Sequence, residues 1–208
     1  MHSSTKNIIS AVIIWLFTIS GIIGILIGYE DWFLPLTCLN LVIYLILIIW
    51  NAGFNKNLLL FLLIPFSIGM ITEFLGVNYG LIFGNYEYGN NLGAKIYGVP
   101  WIIGVNWAIL VYCSAGLVIK IHKNIFLTSA LAAMLMVLLD VVIERVAPKF
   151  DFWQFENNVV PVQNYVGWFF TAFLAHILFQ KSVKVFHFKI SLHIFIAILV
   201  FFTTFSFL

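Results

Sequence analysis

Seven apolar runs of 18 to 21 residues divide the chain: Ile8 to Gly28, Phe33 to Trp50, Leu58 to Val77, Pro100 to Ile119, Ile125 to Glu144, Pro161 to Gln180 and Ile190 to Leu208. They are apolar on every side and do not alternate, so they lack the period of half-buried strands or of a membrane β-barrel. About 20 apolar residues in a helix span the hydrocarbon of a bilayer. The predicted fold is therefore all-α and integral to the membrane: a single polytopic domain over residues 1–208, with about seven transmembrane helices. The first run reads as a retained helix rather than a signal peptide. Its length exceeds an ordinary signal core, and Tyr29-Glu30-Asp31 follows it in place of a small-residue cleavage site.

Composition agrees: 63% of the 208 residues are hydrophobic and 9% charged, against roughly 45–50% and about 25% in soluble domains. This excludes a soluble globule and a disordered chain, and a net charge of +2 with no basic tract excludes nucleic acid as a partner. The lipid bilayer is the expected environment. Lys6, Lys56, Lys120, Lys123, Lys181, Lys184 and Lys189 fall at the N-terminus and in alternate loops, against Lys95, Arg145 and Lys149 on the other side. That bias predicts a cytoplasmic N-terminus. Acids avoid the cytoplasmic loops altogether: Glu30, Asp31, Glu87, Asp151 and Glu156 fall in outer loops, and Glu73, Asp140 and Glu144 near the outer ends of spans. Carboxylate chemistry is thus expected towards the outer face of the cell membrane. The cytoplasmic halves of the spans read as nearly featureless.

Two outer loops carry many of the aromatic residues. From Asn78 to Val99, five glycines alternate with Tyr79, Phe83, Tyr86, Tyr88 and Tyr97, and the loop from Arg145 to Val160 holds Phe150, Phe152, Trp153 and Phe155. The first reads either as a lid or re-entrant segment, or as an aromatic belt. Both loops end alike. Val99-Pro100 is followed by Trp107 and Val160-Pro161 by Trp168, and each loop follows a helix with an acid near its outer end. A repeated hairpin of this kind would bring its acids to one depth.

An ionisable residue inside a span costs roughly 2.5–3.5 kcal/mol, so Glu73, Asp140 and Glu144 are the candidate chemical groups. Asp140 and Glu144, four residues apart, share one helix face. Two carboxyls so close in an apolar setting do not both ionise readily, and at least one is expected to hold a proton near neutral pH. The competing reading pairs Glu144 with Arg145 or uses the acids as hydrogen-bonded ties between helices. Cys38 and Cys113 lie at different depths and read as packing residues. His2, His122, His176, His187 and His193 show no metal-ligand spacing, and phosphate, nucleotide and nucleophile-elbow motifs are absent.

The ordered set Glu73-Phe-Leu-Gly76, Gly80, Gly84-Asn-Tyr86-Glu-Tyr88-Gly89, Gly98-Val-Pro100, Asp140-x-x-x-Glu144, Asp151-Phe-Trp153 and Pro161-Val-Gln-Asn164-Tyr165-Val-Gly-Trp168 resembles the membrane carotenoid hydratases of the CruF type. These are the gamma-carotene 1',2'-hydratases of bacteria and the bisanhydrobacterioruberin hydratases of haloarchaea. The motif-bearing core is about residues 70–170. One departure is that Arg145 follows Glu144, with the proline at Pro148 instead. The resemblance implies a lyase that adds water across the terminal double bond of an acyclic carotenoid end group, of the gamma-carotene, lycopene or C50 type. Asp140 or Glu144 would protonate that bond, and Glu73 would take a proton from the attacking water. Tyr86, Tyr88, Trp107, Trp153, Tyr165 and Trp168 would shield the cation, while Asn106 and Asn164 would place the water. No metal or redox cofactor is implied, and association with other carotenoid-pathway enzymes is compatible with it. A carotenoid cyclase, a UbiA-like prenyltransferase and a proton-coupled transporter remain as alternatives.

Overall fold

The computed structural model describes residues 3–121, 124–183 and 186–208; His2, His122, Lys123 and Lys184 of the sequence reading lie outside these. The helices are α1 (Ser3–Leu26), a single turn α2 (Glu30–Phe33), α3 (Thr37–Asn51), α4 (Lys56–Tyr79), α5 (Trp101–Val118), α6 (Ile125–Ile143), α7 (Val162–Ser182) and α8 (Phe188–Ser206). Six of them are long and apolar enough to cross a membrane, so the protein is a multi-pass helical bundle. The second expected span is shorter than predicted. Pro35 interrupts the run, α2 becomes a separate turn, and α3 keeps only 15 residues, a rise of about 22 Å.

Helix α5 is the axis of the bundle, almost wholly buried and packed against α3, α4, α6, α7 and α8. Pro100 and Pro161 occupy the position just before α5 and α7, where a fixed φ and a missing N–H cost nothing. Asn55 and Asn124 cap α4 and α6 by accepting from backbone N–H groups in the first turn. Gly80 ends α4 with φ at 64°, a left-handed stop that lets the chain turn back over the bundle.

The two aromatic loops are not separate. Tyr86–Tyr88 (β1) pairs antiparallel with Trp153–Phe155 (β4), with Tyr86 opposite Phe155 and Tyr88 opposite Trp153. A smaller hairpin joins Lys95–Ile96 (β2) to Val99–Pro100 (β3). The loop acids hold the pairing together: Asp151 accepts from the Asn90 N–H at 2.8 Å, and Glu156 accepts from the Asn85 amide at 3.1 Å. Lys95 donates to the carbonyl of Tyr88. The loops thus form one lid over the end of the bundle where α4 and α6 finish and α5 and α7 begin.

Candidate functional site

Glycines on α4 prepare the site. Gly69, Glu73 and Gly76 follow a spacing of four and three, which places them on one face of the helix. A Cβ at Gly69 would lie 2.3 Å from the Trp107 ring, and one at Gly76 would lie 2.6 Å from the Tyr86 hydroxyl. These bare positions allow two aromatic donors to reach the carboxyl between them. Gly76→Ala is expected to move Tyr86 off Glu73, lowering activity while the bundle still folds. Activity beside a far-ultraviolet circular dichroism spectrum checks this, and an alanine variant with full activity would contradict it.

Glu73 is buried and accepts from the hydroxyls of Tyr86 and Tyr88, the latter at 2.7 Å, and from Trp107 Nε1 at 3.0 Å. All three partners are donors, the set that an ionised carboxylate needs at its two oxygens. Burial, reinforced by the nearby Glu73 carboxyl, pushes the Tyr86 and Tyr88 hydroxyls above the ordinary phenol range, so both stay donors.

The second acidic group faces it from α6 and its end. Asp140 and Glu144 are both buried and share Asn164, whose Nδ2 donates to Asp140 Oδ2 at 2.9 Å and to Glu144 Oε1 at 3.3 Å. Trp153 of β4 donates to Glu144 Oε2 at 3.1 Å. Arg145 is exposed and supplies none of these bonds, so the acid is held by the lid rather than by its sequence neighbour. Asp140 Oδ1 is buried with no hydrogen-bond partner among the described residues.

Glu73 and Glu144 line one chamber of about 20 Å³, roughly the room of a single water. Its aromatic wall includes Trp107 stacked on Trp168, with ring centroids 4.5 Å apart and planes within 19°. The matching Pro-to-Trp spacing of the two hairpins thus ends in a face-to-face contact. Ten of the eleven sequence candidates converge here: Tyr86, Tyr88, Trp107, Trp153, Trp168, Asn106, Asn164, Glu73 and Glu144 line the chamber, and Asp140 stands behind Asn164. Tyr165 does not join them. It follows Asn164 on α7, about 100° round the helix, and is only half-buried.

Phe83 and Phe155 also line the chamber and were not among the candidates. Phe83 touches the rings of Tyr86, Trp107 and Trp168, and it follows Ile82, a β-branched residue at φ 68°. That strained backbone is held where a Cβ on Gly167 would meet the Ile82 carbonyl at 2.3 Å. No spacing rule announces such a contact.

Asn106 is half-buried on the mostly buried α5, and its side chain makes no hydrogen bond to the described residues. Together with Ile103 and Trp153 it borders a second, larger cavity of about 370 Å³. This cavity lies among α1, α3, α5 and α8, mostly outside residues 70–170.

The opposite half of the bundle is not featureless, contrary to the sequence reading. Ser114 bonds His176 at 3.1 Å, and Gln180 accepts from Thr128 at 2.9 Å, all of them buried. The buried positions of α6 between this level and Asp140 are Ala132, Ala133, Met136 and Leu139. Cys38 and Cys113 are free thiols, and among the described residues no group of three His, Cys, Asp or Glu is placed to hold a metal ion.

The fold and site define a polytopic membrane protein with opposed carboxyls in a small aromatic chamber beneath a two-stranded lid. The chain belongs to the carotenoid biosynthesis protein family, whose pattern matches residues 33–208. A bisanhydrobacterioruberin hydratase of Haloarcula japonica is 33% identical over 118 residues, covering 52% of this chain. The matched stretch is 40% of that relative's length. No solved structure matches the chain.

Proposed function

We propose that the protein is a carotenoid 1,2-hydratase, a hydro-lyase that adds water to the terminal double bond of an acyclic carotenoid end group. The observation that carries this reading is the pair of carboxyls, Glu73 and Glu144, lining one water-sized aromatic chamber. Family membership and the hydratase name of the relative support it.

Glu144, the member of the acidic pair that reaches the chamber, donates a proton to the less substituted carbon of the terminal double bond. A tertiary cation forms on the dimethyl-bearing carbon. The aromatic faces around it stabilise positive charge by about 2 kcal/mol or more when water is excluded, and offer no nucleophile. Water adds to the cation, and Glu73, the acceptor set among fixed donors, takes its proton. One C–H and one C–O bond replace the π bond. The balance closes when that proton passes back across the chamber from Glu73 to Glu144. Asp140, linked to Glu144 through Asn164, positions it. The chain's own residues suffice for each step, without a metal or redox cofactor. With the lysine bias placing the N-terminus in the cytoplasm, the chamber faces the outer side of the cell membrane.

Expression in a host that makes lycopene or gamma-carotene tests the reading. The expected pigment carries a tertiary hydroxyl and the added mass of water. A cyclised pigment of unchanged mass, or unaltered substrate, would refute it for these carotenoids.

A further inference from the structure

The larger cavity has no role in the motifs, yet it adjoins the chamber: Ile103, Asn106 and Trp153 border both. Its remaining walls are mostly apolar, from Phe17 and Gly21 on α1, Leu41 on α3, and Ala197 and Phe201 on α8. The hydroxyls of Thr18 and Tyr44, which also border it, bond each other at 3.0 Å and so ask nothing of a ligand. Asn40 also borders the cavity, its Oδ1 buried with no hydrogen-bond partner among the described residues, and Asn106 stands where the two spaces adjoin. An apolar cavity of about 150 Å³ accepts a benzene ring. At about 370 Å³ this one holds a branched chain end and several further carbons, but not a complete long polyene.

We propose that this cavity receives the acyclic end of the polyene, with its terminal double bond presented to Glu144 at the Asn106 and Trp153 boundary and the rest of the molecule leaving towards lipid. The proposal rests on the hydratase reading for the identity of the ligand and adds the place where it lies. Gly21 on α1 and Ala197 on α8 line the cavity and set its width. Gly24, one turn along α1, is packed so tightly that an added Cβ would lie 2.0 Å from Phe33. At Gly21 an added Cβ meets only Phe201, at an ordinary 3.6 Å, so a larger side chain there extends into open space. Gly21 and Ala197 therefore act as specificity positions, neither of them in contact with the acids.

Gly21→Leu fills the cavity from a wall that the carboxyl chamber does not share. Purified wild-type protein and this variant, each in nanodiscs, are loaded with lycopene beside empty nanodiscs of the same lipid, and the pigment retained after affinity capture above that lipid background is read from its visible absorption. Wild type is expected to retain lycopene, and Gly21→Leu to retain at least ten times less, with an unchanged or higher thermal midpoint. Ala197→Leu gives the same test from α8. Equal retention by both well-folded variants, or no retention by wild type, overturns the assignment. Because retention needs no turnover, lycopene held by wild type and lost by Gly21→Leu supports the cavity even where no hydrated product forms, an outcome that would defeat the hydratase reading alone.

Discussion

Glu144→Gln is expected to abolish hydration while leaving the bundle folded. The amide keeps an oxygen for the Trp153 N–H, which bonds the carboxyl at 3.1 Å, gives up only the longer 3.3 Å bond from Asn164, and carries no transferable proton. General acid catalysis contributes about 10²–10⁴-fold, so product formation should fall by at least about a hundredfold. Asp140→Asn should cost less. Asp140 reaches the reaction through Asn164 and does not line the chamber, so its loss disturbs how Glu144 is held rather than the proton itself. Pigment yield at matched membrane expression distinguishes the two. An inactive Asp140→Asn beside an active Glu144→Gln would reverse the assignment of acid and support.

Glu73→Gln is expected to lower both activity and stability. Tyr86, Tyr88 and Trp107 all donate to this carboxyl, and an amide offers one oxygen where two are now engaged. At least one buried donor then faces an N–H group, a mismatch of about 1–3 kcal/mol. Loss of the base should remove about a hundredfold or more of the rate. Thermal midpoints in detergent separate the two effects: a stable but inactive Glu73→Gln supports the base alone, while an active one removes Glu73 from the mechanism. Tyr88→Phe supplies a control, because it deletes one of the three donors and keeps the carboxylate.

The membrane fold was legible because helices in lipid must satisfy their own backbone and present apolar surface on every side. That leaves long apolar runs, and α5 and α7 begin directly after Pro100 and Pro161, where two of the runs begin. The reading failed at Phe33 to Trp50, where Pro35 divides an apolar run that composition alone leaves whole. The acids were legible for a related reason, since a carboxyl in a span stands out against its surroundings. Their partners were only half legible. Tyr86, Trp107 and Trp153 are conspicuous as residue types, but their convergence on Glu73 and Glu144 depends on Gly69, Gly76 and the β1–β4 register, and no periodicity encodes that register. The large cavity was illegible altogether. Its walls are mostly Phe, Ile and Leu, and an apolar residue lining a space is indistinguishable in sequence from one filling it.

The register of the lid has a thermodynamic consequence. Tyr88 and Trp153 sit opposite each other across the two strands, and each donates to a different carboxyl, Tyr88 to Glu73 and Trp153 to Glu144. Parting the strands withdraws a donor from both acids in the same movement. Closing them restores both. The two carboxyls, which come from different helices and lie 71 residues apart in the chain, are thereby coupled through the lid, and on the proposed mechanism its opening would loosen acid and base together while Trp107 and Asn164 keep their bonds.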